Sequence, residues 1–220
     1  MVDKKIIFSN LNSKEKDIMT ISIIKGLIMD TVRHANSGHT GGPMSSSDFA
    51  YILFKEFLQF DPNNPNWFNR DRFILSAGHE SALQYVLLTM MGWLELDDLK
   101  KFRQLHSRTP GHPEIEIDGV ECTTGPLGQG FGMSAGMALA ESFLHHSLKA
   151  LNKEASCLID HFTYVIASDG DMQEPITLGT ASLSGHLGLS KLIVFYDSND
   201  VQISGGVGRS DSSDYENVFK

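Results

Sequence analysis

Phe162-Thr163-Tyr164-Val165-Ile166-Ala167, running straight into Ser168-Asp169-Gly170-Asp171, is the stretch whose reading decides the fold. Its β-branched, aromatic and apolar residues describe a buried strand that stops at a polar turn. Lys191-Leu192-Ile193-Val194-Phe195-Tyr196 repeats the pattern and stops at Asp197-Ser198-Asn199. Between the two, residues 174–189 read as a helix: Pro175 suits its first turn, and Ile176, Ala181, Leu183 and Leu187 are expected to form its apolar face. Strand, helix, strand makes a parallel unit, and ligands of such units gather beyond the carboxyl ends of the strands. Asp169 and Asn199 are therefore expected side by side. Their side-chain oxygens, with the main-chain carbonyl of Val201, are hard donors suited to Mg2+ or Ca2+, and diphosphate oxygens would complete the shell. Gly170 would let a phosphate approach the backbone, and the nearby helix start would offer free N–H groups to the same anion. Taken alone, these residues leave an ordinary turn reading equally open, because Asp, Gly and Asn populate turns for local reasons.

Two other motif readings fail. In an EF-hand counted from Asp169 the last ligand position falls on Thr180, where a Glu is required. Gly130-Phe131-Gly132-Met133-Ser134-Ala135 has dinucleotide-binding spacing, but the segment before it, residues 123–129, is a polar Gly/Pro loop where a strand is needed.

Working outward, helical periodicity alternates with short strands, which gives an α/β class with a mainly parallel sheet. Residues 18–32 read as a helix with Ile21, Ile24, Ile28 and Val32 on its apolar side, ending at Asn36-Ser37-Gly38. Residues 47–58 read as a second, with Phe49, Ile52, Leu53 and Phe57 on one face. Phe73-Ile74-Leu75 is a short strand that enters the turn Ser76-Ala77-Gly78-His79, and residues 80–91 continue as helix. Residues 131–151 form a long helix whose small residues, Ser134, Ala135, Gly136, Ala138 and Ala140, would allow close packing, including across a subunit interface. With 220 residues and 41% apolar content the chain can bury a real core. A net charge of −9, spread without long runs, argues against nucleic acid and anionic membrane as partners. No secretory or membrane-spanning stretch is present in the sequence, and Cys122 and Cys157 are not a C-x-x-C pair, so reduced thiols in a cytoplasmic protein are expected.

Three of the nine histidines follow glycine in loops: Gly38-His39, Gly78-His79 and Gly111-His112. Histidine there can polarise a carbonyl or move a proton, and the glycine admits substrate. A structural turn role is equally compatible with these residues alone. His34, His106, His145, His146, His161 and His186 lack that context and read as surface or packing residues. The loop Thr123-Thr124-Gly125-Pro126-Leu127-Gly128-Gln129-Gly130 can wrap a ligand with its main chain.

Taken together, these segments give a chain that resembles the N-terminal, thiamine diphosphate-binding domain of the transketolases over nearly its whole length. The residues that carry the resemblance are Asn36-Ser37-Gly38-His39, Arg70-Asp71-Arg72-Phe73 with Ser76-Ala77-Gly78-His79, Thr109-Pro110-Gly111-His112-Pro113-Glu114, Thr124 through Gly130, and Asp169-Gly170 through Asn199. The resemblance implies a three-layer α/β/α thiamine diphosphate-binding fold and a reaction that passes a two-carbon ketol unit from a ketose phosphate to an aldose phosphate. It implies thiamine diphosphate with Mg2+, for which Ca2+ could substitute, as cofactors. Asp169, Asn199 and the Val201 carbonyl match the family's metal ligands. His79, Gly125, Pro126, Leu127, Gly170, Glu174 and Asn199 match cofactor contacts, and His39, His79 and His112 match catalytic histidines, of which His39 and His112 face the sugar.

Against the family pattern, Thr40 follows His39 where proline is usual. Gly179 stands where a second interface glutamate is usual, beside Glu174-Pro175, which puts coupling between subunits in question. Residues 1–220 are expected to be an incomplete diphosphate-binding domain without the pyrimidine-binding and C-terminal domains. In the family a second subunit, normally in a homodimer, supplies the activating glutamate, so this chain alone is expected to be inactive. Competing expectations are another thiamine diphosphate enzyme and a non-catalytic remnant or assembly subunit.

Overall fold

The computed structural model describes residues 10–203 and 205–219. Its centre is a three-stranded sheet, β1 (Arg72–Leu75), β2 (Thr163–Ser168) and β3 (Leu192–Asp197), in the order β1-β2-β3 with both pairings parallel. β2 and β3 begin and end one residue later than their apolar runs suggest, because Phe162 and Lys191 only feed the ladder and Ser168 pairs with Asp197, and β1 begins one residue earlier, at Arg72. In chain order the helices are α1 (Ser13–Ala35), α2 (Gly41–Ser45), α3 (Ser47–Ile52), α4 (Ser81–Met91), α5 (Leu96–Leu99), α6 (Gln129–Leu151), α7 (Asp169–Met172), α8 (Pro175–His186) and α9 (Tyr215–Val218). Val201–Gln202 (β4) and Gly205–Gly206 (β5) form a small antiparallel ribbon just past β3.

Side chains alternate between the faces of the sheet, and the two faces bury different helices. Phe73, Leu75, Tyr164 and Ile166 join Ile24 and Ile28 of α1 and Leu83 and Val86 of α4 in one core. Ile74 and Val165 point the other way, onto Met133 and Met137 of α6. Helix, sheet and helix make the three expected layers. Every residue of β2 is buried, which is why its sequence is apolar almost throughout.

Local sequence explains the element ends. Asn12 and Glu15 form a reciprocal capping box, so α1 starts at Ser13, ahead of the expected start at residue 18. Asn36 closes it in the left-handed conformation with φ of 49°. Pro175 occupies the first turn of α8, as expected, with Glu174 as its N-cap. Of the predicted face of α8 only Ala181 packs inward: Ile176, Leu183 and Leu187 are exposed, while Thr177 and Ser184 are buried. α8 lies close against α6, where a Cβ at Gly132 would come to 3.3 Å from the half-exposed Ile176. Residues 47–58 also depart from expectation. The chain is α-helical only to Ile52 and continues as a π-turn over Leu53–Phe57, which rotates Phe57 into solvent while Leu53 stays buried. On α6, Ser134, Ala135 and Ala138 pack inward, whereas Gly136 and Ala140 face outward. No helix among the described residues is long and apolar enough to cross a membrane.

Candidate functional site

The register places Ser168 beside Asp197, so the turns that follow β2 and β3 meet at one end of the sheet. Asp169, 3% exposed, uses that meeting: its Oδ2 accepts from the Asn199 and Asp200 amides at 3.0 and 2.7 Å, and its Oδ1 from the Tyr196 hydroxyl. Asp200 adopts φ of 57°, so the chain turns in a left-handed conformation directly after the two amides. The expected pairing of Asp169 with residue 199 is present, though through the Asn199 main chain. The Asn199 amide side chain donates to Asp197 Oδ2 at 2.8 Å, and its Oδ1 accepts from Val201 N at 3.0 Å. Val201 itself is 66% exposed.

This donor set fits a hard divalent cation. A carboxylate has about four lone-pair positions, and Asp169 receives three donors, so one remains to face a metal. Asn199 Oδ1 accepts one hydrogen bond and likewise keeps a lone pair. All the oxygens concerned are the type that Mg2+ and Ca2+ select.

The sequence reading missed the residue that ties the site together. Asp171, wholly buried, accepts from Ser76 Oγ at 2.6 Å and Gly128 N at 2.8 Å through Oδ1, and from Ser168 N at 2.8 Å and Ser168 Oγ at 3.0 Å through Oδ2. Ser76 Oγ in turn accepts from Phe131 N. One carboxylate thus joins the turn after β1, the loop 123–130 and the turn after β2. The clue in the sequence was Ser168-x-x-Asp171, a capping box on the four-residue helix α7.

Glycines let these segments touch. A Cβ on Gly78 would lie 2.8 Å from Gly125 N, and one on Gly125, whose φ is 141°, would lie 3.3 Å from the His112 ring. Gly170 admits Leu127, whose Cδ1 would be 2.7 Å from a Cβ there, and Gly128 admits the Glu174 side chain at 2.7 Å. Gly125, Pro126, Leu127, Gly170 and Glu174 are therefore brought together as one wall. Pro126 is exposed, and the others are half-buried.

The three glycine-flanked histidines converge. His39 and His79 meet edge to face with ring centroids 5.2 Å apart. His112 joins them through Gly125 and acts on both electrostatically. All three are held below the ordinary imidazole range: burial is the main cause for each, aided at His39 and His112 by the Arg103 guanidinium and at His79 by His39. Arg103 is a second residue that the sequence reading passed over. It donates to Ser37 Oγ at 2.7 Å, while its Nε is buried without a hydrogen-bond partner. Neutral imidazoles that each carry a donor and an acceptor, beside a fixed cation, suit the handling of hydroxyl and carbonyl oxygens.

Histidines outside this group behave as packing or surface residues. His161 is buried with Nδ1 3.3 Å from Asn69 Oδ1. Glu141, His145 and Asp160 lie close enough to share a cation, but Lys191 Nζ already sits 2.7 Å from Glu141 Oε1 and pairs with Asp160.

Comparison with known proteins gives a consistent result. Residues 16–220 match the family described as "Transketolase, thiamine diphosphate binding domain". A transketolase of Staphylococcus epidermidis is 53% identical over 207 residues, which are 94% of this chain and 31% of that protein. The structure of transketolase from Leishmania mexicana superposes with a TM-score of 0.87 at 42% identity, over 96% of this chain and 31% of that one. The transketolase of Pichia stipitis in complex with sedoheptulose-7-phosphate gives 0.88 at 42% identity, over 92% and 30%. The chain spans under a third of the length of these relatives. With a family match over residues 16–220 lying on a fold that gathers these histidines and oxygen donors, the chain belongs to the transketolase family through its thiamine diphosphate-binding domain.

Proposed function

We propose that this chain forms the diphosphate-binding half of a working transketolase active site. The reaction is transfer of a two-carbon ketol unit from a ketose phosphate such as xylulose 5-phosphate to an aldose phosphate such as ribose 5-phosphate, in the cytoplasmic pentose phosphate pathway. The observation that carries the reading is the convergence of His39, His79 and His112 around the Gly78–Gly125 contact, at the sheet end where Asp169 meets Asn199. A sugar phosphate as ligand is further supported by the relative from Pichia stipitis, described in complex with sedoheptulose-7-phosphate.

Asp169, Asn199 and the Val201 carbonyl would hold Mg2+, or Ca2+ in its place. Gly125, Pro126 and Leu127 would lie along thiamine diphosphate, with His79, Gly170, Glu174 and Asn199 on its diphosphate side. When bound, the cofactor supplies the electron sink for cleavage of the sugar carbon–carbon bond. His39 and His112, neutral near pH 7, hold the sugar oxygens and take or return their protons, and His79, also neutral, stands beside His39 on the diphosphate side. The second subunit of a homodimer completes the site on the pyrimidine side. On this reading the 220 residues alone give no turnover.

The test is a coupled assay of the full-length gene product with xylulose 5-phosphate and ribose 5-phosphate, thiamine diphosphate and Mg2+. Formation of sedoheptulose 7-phosphate is expected. Decarboxylation of pyruvate in its place would move the protein to another thiamine diphosphate reaction.

A further inference from the structure

Glu80 ends the short turn Gly78–Glu80 that carries His79, and its side chain points inward to 0% exposure. Neither carboxyl oxygen makes a hydrogen bond of good geometry, and neither does the buried Ser46 hydroxyl that faces it from the start of α3. The carboxyl lies against the backbone of Gly42 in α2: a Cβ at Gly42 would stand 2.8 Å from Oε1 and 2.9 Å from Cδ. Any side chain at residue 42 would have to displace the Glu80 carboxyl. The charged groups that face Glu80 are Asp197 at the end of β3 and Asp171 in α7, both acidic.

We propose that Glu80 is a positioning residue, whose buried carboxyl seats the Gly41–Ser46 segment against the end of β3 and so fixes His39 on His79. Two contacts side by side join the same two segments: ring on ring at residues 39 and 79, and carboxyl on backbone at residues 42 and 80. Further along, Phe49 stacks on Phe195 at 4.9 Å, so the helical segment is anchored to β3 below the site while Glu80 holds it at the site. Burial and the two acidic neighbours push the Glu80 carboxyl up to about 8, so near neutral pH it is an acid that can donate to Ser46 or Asp197. A neutral amide of the same length should therefore replace it, and a shorter or absent group should not.

The experiment uses the full-length gene product with E80Q, E80D and E80A, read by steady-state kinetics, calorimetric thiamine diphosphate binding and crystallography. The kinetic arm rests on the functional reading above, and the crystallographic arm does not. E80Q should keep kcat/KM within about twofold, and E80A should lose about tenfold or more, mainly in kcat, with cofactor affinity within about threefold of wild type. In E80A the His39–His79 separation should open beyond 5.2 Å, and in E80Q it should not. If E80A does not fold, E80D, one methylene shorter, must show the loss that E80Q escapes. The proposal is overturned if E80A or E80D keeps wild-type kcat/KM and ring separation, or if E80Q is as impaired as they are. A wild type without ketol transfer would refute the functional reading, and the ring separations would then decide the role of Glu80.

Discussion

Asp171 stands to most of the site as a keystone, since its carboxylate satisfies the Gly128 and Ser168 amides in a fully buried place. Asp171→Ala strands both donors, and a loss of about 3 kcal/mol in unfolding free energy is expected from urea titration, with a smaller loss for Asp171→Asn. An unchanged midpoint would mean that water replaces the carboxylate without cost. His161 gives a pH prediction. Burial first, then the charges of Arg72, Lys191 and Arg70, bring it from 6.5 down to about 4. The unfolded chain then binds the proton more readily than the folded one, so its contribution is complete above pH 6.5 and is lost as pH falls toward 4. His39, His79 and His112 act in the same direction. His161→Gln should flatten the stability profile between those two pH values, and an identical slope would remove His161 as its source. At this scale the candidate site was legible where chemistry is local: an Asp-Gly turn, an Asn after a strand and histidines after glycines. Glu80, Arg103 and Asp171 were not, because their importance comes from burial and from partners 30 or more residues away, such as Gly128 at a separation of 43 from Asp171.

Helix α8 is the element where pattern and packing disagree. Its large apolar residues Leu178 and Leu183 are exposed while Thr177, Ala181 and Ser184 lie inward, so periodicity alone selected a mostly wrong face. Gly179 lies in this helix with nothing within 4 Å of a built Cβ. Gly179→Ala should therefore raise stability by about 1 kcal/mol, read from thermal unfolding, because only backbone entropy changes. A loss would show that the position needs glycine for a contact that the chain's own residues do not make. The start of α1 was written in the sequence as Asn12-x-x-Glu15, yet it lies outside the apolar repeat, which is the stronger signal. The strands were the most legible elements, since complete burial of β2 leaves an apolar run bounded by polar turns.

For the molecule as a whole, the parallel sheet and its two helical layers follow from the alternating elements, but three strands leave β3 as an edge with every residue half-buried. A groove of about 1160 Å³ runs along it, lined by Leu192, Val194, Tyr196 and Tyr215 among others, and Leu183 of α8 and Leu187 just after it are exposed. An uncovered parallel edge is a pairing hazard. The 220-residue chain by itself should associate with rising concentration and bind a hydrophobic dye, as followed by light scattering and fluorescence. A dye-silent monomer would show that the edge is protected. Whether a further strand pairs with β3 was not legible in the sequence, because its strand pattern is the same with a neighbour or without one. The central claim is that the turns after β2 and β3 form a metal and diphosphate site. The most direct measurement is calorimetric titration of thiamine diphosphate with Mg2+ into the full-length gene product, wild type against Asp169→Ala. The account predicts Mg2+-dependent binding that Asp169→Ala abolishes while the fold persists by circular dichroism. Equal binding by the two proteins, or none by the wild type, would contradict it.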